Sequence, residues 1–311
     1  METVPCNLCG SNSTEDKMFV SDWLLGRPQV VARFVQCQAC GLVYQNPRPT
    51  PIEMSAHYPP EYEPYTDIMA LRQLPPLLRY ALEYGLRKRV KFVTKYKPHG
   101  GCLLDIGCAS GTFLNSMQAV KGWEVKGIEP NAQVADYARH KYGLDVSIGT
   151  LEEVSFPPTY FDCVTMWDVL EHIHDPSSTL LEVRRILKRD GILLVRVPNL
   201  ASWDASLFRQ TWAGLDAPRH LYVFTPDTLT AMLGQAGFKV IDLNCNIGGY
   251  VTFALSLRFW MTARNVSSTL QKQITKTLYH PIARLVSAPL FWIPARLRKG
   301  PLMVAIAQKR Y

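Results

Sequence analysis

The feature that most constrains the fold is an apolar segment that runs directly into a glycine-rich turn. Residues 102–106 read Cys-Leu-Leu-Asp-Ile, residues 107–111 read Gly-Cys-Ala-Ser-Gly, and a helical pattern begins at Thr112. A buried strand, a turn of this kind and a helix form the entry to a doubly wound nucleotide-binding sheet. Asp105 stands just before the turn, where its charge would repel a phosphate but tolerate an ammonium group. This favours S-adenosylmethionine over a dinucleotide as the ligand.

Strand and helix patterns alternate after this turn. Four further segments read as strands, at residues 125–129, 145–149, 161–166 and 192–198, with a helix over 177–187. The first of them ends at Glu129, an acid in position to accept hydrogen bonds from ribose hydroxyls. Leu151 and Glu152 follow the second, where an adenine ring can be held. The order predicts an α/β fold with a doubly wound sheet.

Four cysteines form two Cys-x-x-Cys-Gly pairs near the N-terminus, Cys6 with Cys9 and Cys37 with Cys40. Each pair can make a tight turn that points two thiolates at one ion, and two such turns complete a tetrahedral zinc site. A disulfide pair and unrelated thiols are the alternatives. We predict a structural zinc ion in a small zinc-ribbon-like module, with the 27 residues between the pairs forming a large loop.

Residues 95–245 resemble a class I S-adenosylmethionine-dependent methyltransferase. The turn resembles the acid-x-Gly-x-Gly-x-Gly loop of that family, with Ala109 where the pattern has glycine. Residues 168–176, Asp-Val-Leu-Glu-His-Ile-His-Asp-Pro, resemble the segment after the fourth strand of ubiquinone-type O-methyltransferases. The resemblance implies a seven-stranded Rossmann-like sheet. It implies that the cofactor-binding residues are Asp105, Gly107 and Gly111 at the methionine part, Glu129 at the ribose, Leu151 and Glu152 near the adenine, and Asp168 near the sulfonium.

Two histidines are candidates for the catalytic base that removes a proton from the methyl acceptor. His172 follows the fourth strand. In related O-methyltransferases the matching residues have been linked to a divalent metal, and here that set would be Asp168, Glu171 and His172. The alternative is a cluster that caps a helix and orders the loop.

His220 is the candidate that we favour as the base. Residues 218–226, Pro-Arg-His-Leu-Tyr-Val-Phe-Thr-Pro, resemble the His-x-x-Tyr-Phe-Ser segment of zinc-containing sugar C-methyltransferases, whose histidine acts at the acceptor. Tyr222 is offset from that pattern, so the resemblance is partial, and a role in capping the next helix is the alternative. Trp203 and Trp212 lie in the preceding loop, where their rings could stack on a sugar or quinone ring or form a small satellite core.

The C-terminal region is basic and aromatic. Residues 238–243 and 301–307 read as the last two strands, and the insertion between them contains an expected helix around 267–286. Residues 251–311 hold ten Lys and Arg and no acid. Cations mixed with aromatic residues suit an anionic membrane surface. A lid over the acceptor pocket or a dimer contact is the alternative, and nucleic acid is disfavoured because no recognised RNA- or DNA-binding module accompanies the charge.

We therefore expect four parts. They are a zinc-binding module and connector at 1–66, a methyltransferase domain at 67–250 that opens with a helix over 68–97, a basic amphipathic helical insertion at 251–299, and the last strand at 300–311. The expected function is methyl transfer to oxygen or carbon of a small-molecule, sugar or lipid-linked acceptor, and a non-catalytic binding protein is the alternative. The N-terminus lacks the pattern of a secretory signal, so we expect a cytoplasmic protein, or one peripheral to the inner face of the membrane. The oligomeric state is left open.

Overall fold

A computed structural model describes residues 1–59 and 76–310. The strands are β1 Thr14–Asp22, β2 Arg27–Cys37, β3 Val43–Gln45, β4 Gly101–Ile106, β5 Trp123–Glu129, β6 Asp145–Ile148, β7 Phe161–Trp167, β8 Leu187–Pro198, β9 Tyr222–Val223, β10 Phe238–Ile247 and β11 Leu302–Lys309. The helices are α1 Pro51–Met54, α2 Pro76–Tyr96, α3 Thr112–Gln118, α4 Ala132–Tyr142, α5 Pro176–Ile186, α6 Trp203–Phe208, α7 Pro226–Gln235, α8 Gly249–Ala263, α9 Ser268–Leu278 and α10 Pro281–Arg296. The rest of the connector and the first part of the helix predicted over 68–97 lie outside the described residues.

The larger sheet has the strand order β10-β11-β8-β7-β4-β5-β6. Strands β8, β7, β4, β5 and β6 are parallel, which confirms the doubly wound sheet. Residues 191–198 of β8 are buried without interruption, as expected for a parallel strand covered on both faces. This strand begins at Leu187 rather than at residue 192, because residues 187–191 continue it across a register shift against β7.

The last two strands pair antiparallel, and β11 lies between β10 and β8. The insertion between them is helical, as predicted, but it contains three helices instead of one around 267–286. The first, α8, begins directly after β10. The last, α10, continues through Pro289 and Pro294, beyond the predicted helix end at residue 286.

The N-terminal module is a second sheet with the order β1-β2-β3-β9. The large loop predicted between the cysteine pairs is wrong, because β1 and β2 form an antiparallel hairpin there. Its fourth strand, β9, comes from the methyltransferase part of the chain and pairs with β3. Cys6, Tyr44 and Met54 are buried in the same apolar core as Phe161 and Val195 of the larger sheet. The two sheets are therefore packed as parts of one structure.

Candidate active site

The glycine-rich turn joins β4 to α3 at the carboxyl edge of the larger sheet. Gly107 and Gly111 have φ angles of +67° and +76°, a region that favours glycine. A Cβ at Gly107 would lie 2.7 Å from a Val169 methyl, and one at Gly111 would lie 2.5 Å from a Leu144 methyl. Glycine is therefore required at both positions by conformation and by space. Ala109, where the family pattern has glycine, also has a positive φ of +47°.

Two buried carboxylates flank this turn. Asp105 accepts a hydrogen bond of 2.6 Å from the Thr165 hydroxyl, and burial raises its pKa to about 7. Glu129 accepts from the backbone N–H groups of Ala109 at 3.0 Å and Asn131 at 2.9 Å, and burial raises its pKa above the usual range. Each carboxylate oxygen of Glu129 can accept a second bond, so the geometry fits the ribose hydroxyls of S-adenosylmethionine.

Asp168 follows β7 with a φ of +60° and forms a two-pronged ion pair with Arg196. Burial opposes its ionisation, but the charge and hydrogen bonds of Arg196 hold the pKa of Asp168 below its usual range. Leu151 is buried in the core, and Glu152 accepts a hydrogen bond from the Thr179 hydroxyl. The adenine role expected for these two residues stays a prediction.

The turn Leu170–His172 places Glu171 and His172 beside His220, which lies before β9. The potential ligand atoms of these three side chains lie within 4.8 Å of one another, and the ring centroids of His172 and His220 are 4.5 Å apart. The Glu171 carboxylate is fully buried, and neither of its oxygens has a hydrogen-bond partner among the described residues. Burial, aided by the charge of Asp168, raises the Glu171 pKa well above its usual range. Glu171, His172 and His220 could hold a divalent cation. His220, and not the predicted Asp168, is the third residue of this set.

The ring of His220 has a defined orientation. Its Nδ1 lies 2.9 Å from the carbonyl oxygen of Gly214, and because a carbonyl can only accept, Nδ1 carries the proton. The other nitrogen, Nε2, is 3.9 Å from a Glu171 oxygen and 4.0 Å from an Asp216 oxygen. Burial lowers the pKa of His220, against the opposing charge of Asp216. A neutral imidazole with Nε2 unprotonated is the form that a general base needs.

The N-terminal module reaches this cluster directly. The Tyr58 hydroxyl lies 2.8 Å from Nδ1 of His172. The guanidinium of Arg219, next to His220, is fully buried and donates to Asp22 of β1 at 2.7 Å and to Asp216 at 2.7 Å. Sequence reasoning assigned no role in the site to Asp22, Asp216 or Arg219. The position of Arg219 beside His220 was the one available signal, because nothing in the sequence links β1 to this loop.

The structure shows which residues cap helices α5 and α7 and how Trp203 and Trp212 pack. Asp175 caps α5 and Thr225 caps α7, so neither His172 nor His220 acts as a helix cap. Trp212 is buried in a satellite core and donates from its indole nitrogen to Asp204 at 3.0 Å. Trp203 stacks on Phe253 of α8 with ring centroids 5.6 Å apart. Trp212 therefore belongs to a satellite core that supports the loop, and the half-buried Trp203 packs beside that core through Phe253.

The four N-terminal thiols are gathered as predicted. The sulfur atoms of Cys6 and Cys40 are 3.5 Å apart, as are those of Cys9 and Cys37, and all four lie within 4.8 Å of one another. Gly10 and Gly41 turn the chain back with φ angles of +73° and +78°. A zinc ion with four sulfur ligands at 2.3 Å separates them by about 3.8 Å, so the donor set and its spacing fit zinc.

Together, the sheet and the carboxylates around its glycine-rich turn define a class I S-adenosylmethionine-dependent methyltransferase. The family described as "Methyltransferase domain" matches residues 78–243, and the chain belongs to that family.

Two bacterial relatives bear the name ubiquinone biosynthesis O-methyltransferase. The one from Dinoroseobacter shibae is 30% identical over 198 residues, which cover 60% of this chain and 76% of that protein. The one from Ruegeria sp. is 32% identical over 151 residues, which cover 45% of this chain but only 61% of that protein, less than two thirds of its length. The structure of Burkholderia thailandensis 1,6-didemethyltoxoflavin-N1-methyltransferase with bound S-adenosylhomocysteine is 14% identical. It has a TM-score of 0.51 and covers 90% of this chain and 96% of that one, which shows the shared fold.

Proposed function

We propose that this protein transfers the methyl group of S-adenosylmethionine to a hydroxyl oxygen of a small-molecule acceptor, with His220 as the general base. The observation that carries the proposal is the orientation of His220, whose Nδ1 is held by the Gly214 carbonyl while Nε2 faces Glu171 and Asp216. The name of the ubiquinone O-methyltransferase relatives supports oxygen as the acceptor atom. The acceptor classes that fit are sugars, quinone-like rings and lipid-linked compounds.

Each residue of the site has a separate task in this mechanism. S-adenosylmethionine, when bound, supplies an electrophilic methyl group on its sulfonium. The turn at Gly107 and Gly111 would admit the cofactor close to the backbone, and Glu129 would accept hydrogen bonds from its ribose hydroxyls. Nε2 of His220 would remove the acceptor proton as the acceptor oxygen bonds to the methyl carbon and the bond between that carbon and sulfur breaks, with its electron pair left on sulfur. The imidazolium that results is stabilised by the nearby carboxylate of Asp216.

The unpartnered carboxylate of Glu171 supports a second candidate, in which a divalent cation binds Glu171, His172 and His220 and holds the acceptor oxygen. The two candidate mechanisms differ in whether methyl transfer requires a divalent cation. If His220 is the base, thorough removal of divalent cations with a weak chelator that spares the cysteine site leaves the rate unchanged. If a cation holds the acceptor, the rate falls and returns when Mg²⁺ or Mn²⁺ is added.

The test of the base is His220→Gln, assayed with labelled S-adenosylmethionine and host-cell extract as the source of acceptor. We expect methyl transfer to fall by at least about 100-fold, with cofactor affinity unchanged in a direct titration. His140→Gln is the matched control, because His140 is an exposed histidine on α4. A His220→Gln enzyme that works at the normal rate would refute the assignment.

Asp105→Ala separates a methyltransferase from the non-catalytic alternative. Asp105 is buried under the turn, so its loss should abolish binding of S-adenosylmethionine. Circular dichroism of the variant would check that the sheet remains folded. Unchanged cofactor binding in a folded variant would contradict the site, and binding without any transfer in the normal protein would favour a binding protein.

A further inference from the structure

Helix α10 turns apolar side chains outward along its whole length. Five aliphatic side chains of α10 have more than half of their surface exposed, namely Ile282, Leu285, Val286, Leu290 and Ile293, and so does Leu297 just beyond its end. Their spacing of three, four and seven or eight residues places them on one side of a helix. A helix of a soluble protein normally turns such a stripe towards the core, so this surface, the α10 stripe, is built to be covered.

The segment that contains α10 carries charge of one sign. Residues 251–311 contain ten Lys and Arg and no Asp or Glu. Arg296 stacks on the exposed ring of Trp292, with its guanidinium carbon 4.0 Å from the ring centroid. Arg298 and Lys299 follow directly and are exposed. Exposed apolar side chains, a tryptophan and cations without acids are the combination that anionic lipid headgroups and acyl chains attract.

We propose that the α10 stripe docks the protein on an anionic membrane surface, with α10 lying in the plane of the interface. Its 16 residues extend over only about 24 Å. Within the part of the chain that the structure describes, no helix is long and apolar enough to cross a bilayer. A helix of this length and composition is therefore suited to the headgroup boundary.

The charge of this segment favours an anionic membrane surface over a second copy of the chain as the partner of the α10 stripe. Two copies that met through the α10 stripe would bring together two segments with Arg284, Arg296, Arg298 and Lys299 in or beside α10, and residues 251–311 supply no acid to neutralise them. An anionic leaflet supplies the missing negative charge along with an apolar layer.

The docking surface is connected to the catalytic loop. Phe291 of α10 packs against Phe253 of α8, with ring centroids 5.5 Å apart. In the same helix α8, the Ser256 hydroxyl accepts a hydrogen bond of 2.9 Å from the N–H of Ala213. Ala213 precedes Gly214, whose carbonyl orients His220. If the proposed function holds, docking places the acceptor site near the membrane surface, which suits a lipid-linked or lipophilic acceptor.

The experiment is flotation of the full chain with vesicles of phosphatidylcholine alone or with phosphatidylglycerol added. We expect binding only to the anionic vesicles, and release at high salt because screening weakens the attraction. The double variant Leu285→Asp, Val286→Asp should bind at least tenfold more weakly, because it places charge in the apolar stripe. Leu181→Asp is the matched control, since Leu181 is a leucine of α5 that is 56% exposed.

Other results would overturn the proposal. Equal binding to neutral vesicles, or undiminished binding by the double variant, would remove the α10 stripe as the docking surface. A dimer in sedimentation velocity that the double variant converts to a monomer would assign the stripe to a contact between chains. Binding to RNA or to an acidic protein without binding to vesicles would replace the lipid partner. The double variant should still methylate a water-soluble acceptor, so failure here is distinct from failure of the His220 assignment.

Discussion

The neutral state of His220 at physiological pH follows from its burial. The ring is 7% exposed, and burial lowers its pKa from the ordinary value of 6.5 even though Asp216 lies 4.0 Å away. A residue in this environment takes up a proton only in acid, and protonation removes the lone pair on Nε2. If His220 is the base, as proposed, methyl transfer requires the unprotonated form of this ring.

The expected pH profile follows directly. Because a general base must be unprotonated, kcat/KM for the acceptor should fall as the pH drops through a value below 6.5, when S-adenosylmethionine is saturating so that the titration of Asp105 does not limit the rate. The measurement is the initial rate of methyl transfer between pH 5 and 8, with checks that the enzyme recovers on return to pH 7. A rate that keeps rising through an apparent pKa above 7 would point to a different base.

Ala109 carries a conformational cost that glycine would remove. Its φ of +47° lies in the left-handed region, which costs a residue with a side chain about 1–2 kcal/mol. We expect Ala109→Gly to raise the free energy of unfolding by about 1 kcal/mol, with cofactor binding retained. Ala231→Gly is the control, because Ala231 is an exposed residue in the interior of α7 and glycine there should destabilise by about 0.5–1 kcal/mol. The same sign for both variants in denaturant titrations would contradict this account.

At the scale of elements, strand β1 and the loop that carries His220 are joined by one buried ion pair. Asp22 and Arg219 are both fully buried, and Arg219 also contacts Asp216 and the carbonyl oxygen of His57. Arg219 therefore positions the backbone of His220 without itself facing an acceptor.

We expect Asp22→Asn to lower the free energy of unfolding by about 3 kcal/mol, because it leaves a buried guanidinium with one carboxylate fewer. Urea unfolding of the full chain would measure this. Asp16→Asn is the matched control on the same strand, because the pair between Asp16 and Arg33 is largely exposed and should contribute less than about 1 kcal/mol. Equal effects of the two variants would show that the buried pair does not join the two elements.

The sequence predicted the elements of the larger sheet well because each parallel strand is a short apolar run with a marked boundary. The Asp105 turn and Glu129 were found because the chemistry at the carboxyl ends of parallel strands depends on local sequence. Partners brought together by long-range pairing were missed. Asp22, for example, lies on an ordinary antiparallel hairpin, and β9 is too short to show a strand pattern of its own. In the insertion, helix α8 was not predicted, α9 and α10 were predicted as one helix, and its predicted end at residue 286 came too early because Pro289 and Pro294 are residues that usually end a helix.

Across the whole molecule, the zinc-ribbon-like module and the methyltransferase sheet are interdependent. Strand β9 follows His220 and completes the small sheet by pairing with β3, and Tyr222 of β9 receives a hydrogen bond of 2.8 Å from Arg48. Zinc at the four cysteines would hold the two turns that flank the hairpin.

We expect a strong chelator, or Cys37→Ser, to lower the rate of methyl transfer sharply while S-adenosylmethionine still binds. The cofactor turn belongs to the larger sheet, whereas the position of His220 depends on β9 and β3. Zinc content by mass spectrometry, cofactor titration and transfer rate would be measured on one sample. Cys102→Ser is the control, because Cys102 lies on β4, away from the thiol cluster. Full activity of the protein after its zinc has been removed would contradict the interdependence.

The position of β11 has a consequence for biosynthesis. This strand fills the place between β8 and β10, yet the ribosome makes it about a hundred residues after β8 is complete. Until then the nascent chain presents the open edge of an apolar strand together with the newly made, outward-facing leucines of α10. Unpaired edges of this kind recruit other chains. We therefore expect chaperones to bind this chain during translation. If α10 binds a lipid surface early, its exposed leucines are covered before β11 pairs with β8.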